Sequence, residues 1–136
     1  GSDQVPWCNN KIGPGAPPLK TDRGWLTTYH VVDKDENRPL YAWGHEWCKR
    51  YTIGLLLLDE NEPWKIKAMS SKPVLVPEEP YEYELKGFRG SVLFPGGLIL
   101  EDTGEVKIYY GASDTVECLA TADLDDLISL CDWECG

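Results

Sequence analysis

Lys11 and His30 stand at the two ends of a stretch that holds a compact positive charge and a titratable imidazole apart on stiff backbone. Between them Gly13-Pro14-Gly15 and Pro17-Pro18 keep the chain extended, because proline can neither continue a helix nor donate to a sheet ladder. Asp22-Arg23-Gly24 reads as a turn, and the β-branched and aromatic run from Trp25 to Val32 predicts a strand after it. Lysine is a point charge on a flexible stem, and histidine adds a second charge only when protonated, so the pair suits an anion. The plain alternative for His30 is a strand histidine bonded to a backbone carbonyl.

The cysteines offer less. Cys8, Cys48, Cys118, Cys131 and Cys135 are odd in number and contain no Cys-x-x-Cys pair, which argues against a disulfide framework. Cys131 and Cys135 have a spacing that two ligands on a helix can use, but no matching Cys/His pair occurs elsewhere, so neither a metal nor a cofactor is expected. Free thiols in a reducing cytoplasm are the expectation.

The elements that must position these residues are short strands. After a charged turn from Asp33 to Arg38, the stretch Leu40 to Trp47 carries Tyr41, Trp43, His45 and Trp47 at alternate positions, which is either buried core or a stacking platform. Tyr51 to Leu58 is apolar on both faces at Leu55 to Leu58 and predicts a central strand. Trp64 to Met69 alternates as an outer-edge strand, followed by a proline-punctuated crossing from Lys72 to Pro80. The pattern restarts at Ser91 to Phe94, turns at Pro95-Gly96-Gly97, and continues through Leu98 to Glu101, Val106 to Tyr110 and Glu117 to Ala122. Asp123 with Leu124, Leu127, Ile128 and Cys131 on one face predicts a short final helix.

The chain of 136 residues is the length of one domain, and 42% hydrophobic content with 26% charged residues is globular. A net charge of −10 is unfavourable for nucleic acid, and no apolar run approaches the ~20 residues of a membrane span, so neither partner is expected. Short strands at this spacing predict an all-β fold of two successive antiparallel sheets of three or four strands, an arrangement that fits about two blades of a partial β-propeller. Residues 3–90 form the first blade with its preceding strand and linker, and residues 91–136 a second, incomplete blade plus the helix. Exposed edges and uncovered blade flanks then call for self-association into a homo-oligomer.

Several motifs in order resemble glycoside hydrolase family 130, the β-mannoside phosphorylases and related hydrolases built on a five-bladed propeller. They are Trp7 with Lys11-Ile12-Gly13, Gly15-Ala16-Pro17-Pro18-Leu19-Lys20-Thr21, Gly24-Trp25-Leu26 and Tyr29-His30. The likeness continues through Tyr51-Thr52-Ile53-Gly54, Pro73 to Glu78, Phe94-Pro95-Gly96-Gly97, Tyr109 to Thr115 and Leu119 to Ala122. It spans nearly the whole chain, but only about the C-terminal half of such a propeller.

The resemblance implies that Lys11, His30 and Tyr51 bind phosphate and that Asp114, Phe94, Tyr110 and Trp43 contact the sugar. It also implies that the general-acid aspartate and the phosphate arginines belong to the part of the family fold preceding Asp3, so no residue here inherits a catalytic role. Loss of a general acid alone forfeits ~10² to 10⁴ in rate. The function expected is that of a truncated relative of inverting β-mannoside phosphorylases, keeping part of a site for inorganic phosphate and a β-mannoside and inactive alone. The alternative is a non-catalytic self-assembling protein with at most a weak anion or carbohydrate pocket.

Overall fold

The computed structural model describes residues 1–38, 40–42, 45–83 and 89–135. Trp43 lies outside the described residues, as do the side chains of Tyr41, His45 and Trp47. The chain folds into two antiparallel sheets and a hairpin.

The first sheet is built on two long strands. β1 (Lys11–Pro14) and β2 (Leu19–Thr21) both pair with β3 (Gly24–Lys34), which pairs along its whole length with β6 (Lys49–Leu58). The small hairpin of β4 (Leu40–Ala42) and β5 (His45–Trp47) connects β3 to β6. β6 is central, as its unbroken apolar run predicts, with β7 (Ile66–Met69) on its far side. The prolines of the Lys11 to His30 stretch are compatible with strands here because β1 and β2 lie on the sheet edge, where a missing N–H costs no ladder bond.

The second sheet is a three-stranded meander of β8 (Leu93–Leu100), β9 (Glu105–Ala112) and β10 (Val116–Asp123), with β8 and β10 at its edges. The expected turn at Pro95-Gly96-Gly97 is instead a bulge inside β8. Pro95 faces Tyr110 and Gly97 faces Tyr109, so Gly96 is the extra residue and the strand continues. Glycine satisfies a bulge as readily as a turn, and Pro95 is tolerated because β8 is an edge strand.

The sheets meet through the face carrying Leu26, Leu55 and Ile53. Leu26 and Leu55 pack with Val106, Ile108 and Leu127, while Ile53 packs with Leu93, Tyr110 and Ala112. Fully burying one such aliphatic side chain contributes about 1.5 to 3 kcal/mol, so these two clusters are the main tie between the sheets. On the opposite face of the first sheet, Val5 and Trp7 cover Tyr29, Val31 and Met69.

The final helix, α2 (Leu124–Ser129), starts at Asp123, whose side chain accepts the Asp125 N–H at 2.8 Å, and it buries Leu127. Two elements go beyond the sequence pattern. A single helical turn, α1 (Pro80–Tyr83), stands between the sheets in the chain, and β11 (Trp133–Glu134) crosses back to pair with β7. The expected outer edge at β7 is thus covered: Trp133 lies opposite Met69, and the Asp132 carboxylate accepts the Ser71 N–H and hydroxyl at 2.9 and 2.8 Å. No helix among the described residues is long and apolar enough to cross a membrane.

Candidate functional site

Register brings the anion candidates together. Lys11 lies opposite Val32 and Val32 opposite Tyr51, while Gly13 lies opposite His30. Directly opposed residues share a face of the sheet, and so do residues two apart along a strand, so Lys11, His30 and Tyr51 all project from the same side. The Lys11 ammonium sits 5.3 Å from the centre of the Tyr51 ring, and the His30 and Tyr51 rings stack with centroids 6.0 Å apart.

The second sheet closes the site from the other side. Tyr51 donates its N–H to the Ser91 carbonyl at 2.9 Å and forms a parallel bridge with Val92, which leads the chain to Phe94. The Phe94 ring then lies 4.7 Å from the His30 ring, with an edge still open to solvent. Beyond this strand, Ser113 donates its N–H to the Val92 carbonyl at 2.8 Å, and Asp114 follows it in the chain. Asp114 takes a left-handed conformation with φ of 52° and has Arg89 3.6 Å from its carboxylate.

His30 is positioned in a defined tautomer. Its Nδ1 lies 2.9 Å from the Pro14 carbonyl, an acceptor only, so Nδ1 carries the proton. Nε2 makes no hydrogen bond among the described residues. Burial pushes the His30 pKa below its ordinary value and nearby Lys11 pushes the same way, against the opposing pull of the Pro14 carbonyl. A neutral His30 therefore presents an acceptor lone pair at Nε2, and a protonated one presents a charged donor. The plain expectation for His30, a bond to a backbone carbonyl, is met at Nδ1, while Nε2 makes no such bond among the described residues.

Tyr110 does not join this group. It pairs with Pro95 on the core face of the second sheet, and its hydroxyl donates to Glu82 at 2.9 Å in buried surroundings. Burial, and then the Glu82 carboxylate, hold its phenol protonated well above the usual range. Sequence reasoning also misses three neighbours of the site: Gly13 beneath the His30 ring, Arg89 beside Asp114, and Glu82. Gly13 has a signal in hindsight, since a glycine two residues after Lys11 is where a ring on the next strand needs room. Glu82 has none, because it sits among other glutamates in Pro77-Glu78-Glu79-Pro80-Tyr81-Glu82.

The sequence profile of glycoside hydrolase family 130, described as beta-1,4-mannooligosaccharide phosphorylase, matches residues 2–133. The chain belongs to glycoside hydrolase family 130. Among its family 130 relatives, it is 34% identical over 123 residues to a beta-1,4-mannooligosaccharide phosphorylase of Ruminococcus albus, covering 90% of this chain and 33% of the relative. It is 35% identical over 109 residues to a beta-1,2-mannobiose phosphorylase of a Thermoanaerobacter species, covering 80% of this chain and 31% of the relative. In structure it is similar to the beta-1,2-mannobiose phosphorylase of Listeria innocua solved with beta-1,2-mannobiose, with a TM-score of 0.74, 29% identity, and coverage of 93% of this chain and 31% of that one. The chain thus spans about a third of the length of the family 130 relatives it matches, and its two sheets are blades of the family propeller.

Proposed function

We propose that this chain carries part of the phosphate and sugar pocket of an inverting β-mannoside phosphorylase or hydrolase, and that the chain alone does not turn over. The observation that carries this reading is the convergence of Lys11, His30, Tyr51 and Phe94 on one surface, with Asp114 next to Ser113, which bonds the segment leading to Phe94. Inorganic phosphate would lie between the Lys11 ammonium and His30 Nε2. The mannosyl ring would rest against Phe94, with its hydroxyls donating to the Asp114 carboxylate.

The chemistry such a site performs is positioning and charge stabilisation. Lys11 holds the anion as a point charge, and His30 holds or gives up a proton at Nε2 as the phosphate changes ionisation. Tyr51 walls the pocket and offers its ring face to the Lys11 cation, an attraction of about 0.5 to 1 kcal/mol when exposed. The motif match assigns the general acid to none of these residues, which is why turnover by the chain alone is not expected. The five free cysteines suit a reducing compartment, and on that ground we place the protein in the cytoplasm.

The test has two arms. Purified chain incubated with β-1,2- or β-1,4-mannobiose and inorganic phosphate should release no mannose 1-phosphate. Phosphate titrated into isotope-labelled chain should shift His30 and Lys11 resonances with an affinity on the order of millimolar, since two groups on a protein of net charge −10 hold an anion weakly. Turnover in the first arm, or a Lys11→Ala, His30→Ala double variant that binds phosphate unchanged, overturns the reading.

A second reading has its own observation. On the outward face of the second sheet, Ile99 and Leu119 are each about half exposed, at 46% and 50%, on the side away from the core. Such a surface favours self-association into a homo-oligomer that keeps at most a weak anion or sugar pocket. Sedimentation velocity showing a monodisperse monomer at micromolar concentration would count against it.

A further inference from the structure

Glu82 is a carboxylate with only 4% of its surface exposed, and it is not part of the pocket described above. Burying a carboxylate is costly unless its lone pairs are satisfied. Here they are. One oxygen accepts the Tyr110 hydroxyl at 2.9 Å, and the other accepts the backbone N–H groups of Glu78 and Glu79 at 2.8 and 2.9 Å. These bonds close α1 on itself and fasten it to the core face of β9.

The backbone of Glu82 then reaches the sugar side. Its carbonyl oxygen accepts the Ser91 N–H at 2.8 Å and the Ser113 hydroxyl at 2.6 Å. Ser91 and Ser113 have φ of 59° and 52°, and Asp114 follows at 52°. Side-chain-bearing residues avoid this left-handed region, so the turns persist only where surrounding bonds determine them. They bracket the segment that carries Val92 and Phe94, and the second turn carries Asp114.

We propose that Glu82 is the positioning residue for the sugar end of the site. Its carboxylate anchors α1 so that its own carbonyl can clamp Ser91 and Ser113, fixing the directions in which Phe94 and Asp114 project. This rests on the reading of Asp114 and Phe94 as sugar contacts and extends it to a residue that touches no ligand. Lys11 and His30 sit on the first sheet, held by β1 and β3, and the clamp reaches them only indirectly, through the Ser91 bond to Tyr51 and the Phe94 ring beside His30.

The separation gives the test. Labelled chain is titrated separately with methyl β-mannoside and with inorganic phosphate, for wild type, Glu82→Ala and Glu82→Gln. Glu82→Ala should weaken the mannoside response at Asp114 and Phe94 by about tenfold or more, with the phosphate response at His30 within about twofold, because only the sugar turns lose their anchor. Glu82→Gln should stay within about threefold of wild type, since its amide oxygen still accepts from Glu78 and Glu79 while its amide nitrogen donates to the Tyr110 oxygen. Should Glu82→Ala fail to fold, Ser113→Ala removes one arm of the clamp and should selectively weaken the mannoside response. Equal loss of both ligands, unchanged mannoside binding in Glu82→Ala, or unchanged binding in Ser113→Ala overturns the proposal. A wild type that binds phosphate but shows no mannoside response at Asp114 overturns the sugar reading itself, and the proposal with it.

Discussion

The His30 imidazole lies against the backbone of Gly13, its partner across the β1 to β3 ladder, so closely that a Cβ at position 13 would fall 2.4 Å from Cε1 and 2.7 Å from Nε2. The ring that presents Nε2 therefore needs a residue without a side chain beside it. Gly13→Ala should force the ring off the Pro14 carbonyl or bend β1, an overpacking cost of about 1 to 3 kcal/mol. Urea unfolding should show the loss, and anion titration should show weaker binding in the same variant. An unchanged midpoint together with unchanged binding would mean that the ring has room the geometry does not show.

The pH dependence follows from the same burial. His30 has its pKa held below the ordinary 6.5, so the unfolded chain binds this proton more readily than the folded one. Stability from His30 is therefore fully present above pH 6.5 and falls as pH drops from 6.5 through the lower folded value. Anion binding should run the opposite way, strengthening as His30 gains its proton below 6.5. Sulfate, whose charge is constant over this range, should bind more tightly on acidification and should restore part of the lost stability. His30→Gln should remove both trends, as followed by thermal unfolding with and without sulfate.

Tyr110→Phe isolates one bond of the Glu82 knot. The ring and its packing against Ile53, Leu93 and Ala112 remain, but one carboxylate oxygen of a buried glutamate loses its donor. A cost of about 1 to 3 kcal/mol is expected, read as a drop in urea midpoint with an unchanged slope. A cost near zero would show that water replaces the hydroxyl.

Asp132 offers a test of the β11 seam. Its carboxylate accepts both the N–H and the hydroxyl of Ser71, and those bonds hold its pKa below the ordinary 3.8. Its contribution is present above pH 3.8 and is lost as pH falls through the lower folded value, a window well below that of His30. Asp132→Ala should speed hydrogen exchange at Cys135, whose N–H donates to the Lys67 carbonyl, while exchange in the β3 to β6 ladder stays unchanged. Equal exchange at Cys135 in both proteins would mean that the strand holds without its carboxylate.

How much of this is legible in the sequence depends on range. The strands from Trp25 to Val32 and Tyr51 to Leu58 can be read directly because their composition and apolar runs are local signals, and Asp123 marks the helix for the same reason. The Pro95-Gly96-Gly97 stretch is ambiguous in principle, since a bulge and a turn ask for the same residues and only pairing with Tyr110 and Tyr109 decides. Lys11 and His30 are visible as types and as motif positions. The meeting of His30 with Phe94 is not, because it depends on how two sheets pack. Glu82 is hidden more deeply, as a charged residue in a glutamate-rich run gives no hint that it is buried.

The pairing of β11 with β7 has a kinetic side. Trp133 meets Met69 only after the intervening meander and helix have been laid down, so the last edge of the first sheet is closed by residues that follow the whole of the second. Independent repeats can melt and refold one at a time, each needing only its neighbour. Here the closing pair is the most distant in sequence of the strand pairings among the described residues, which places it late in folding and makes it slow to find. The two sheets should therefore unfold as a single cooperative unit, with no populated state in which one is intact and the other lost.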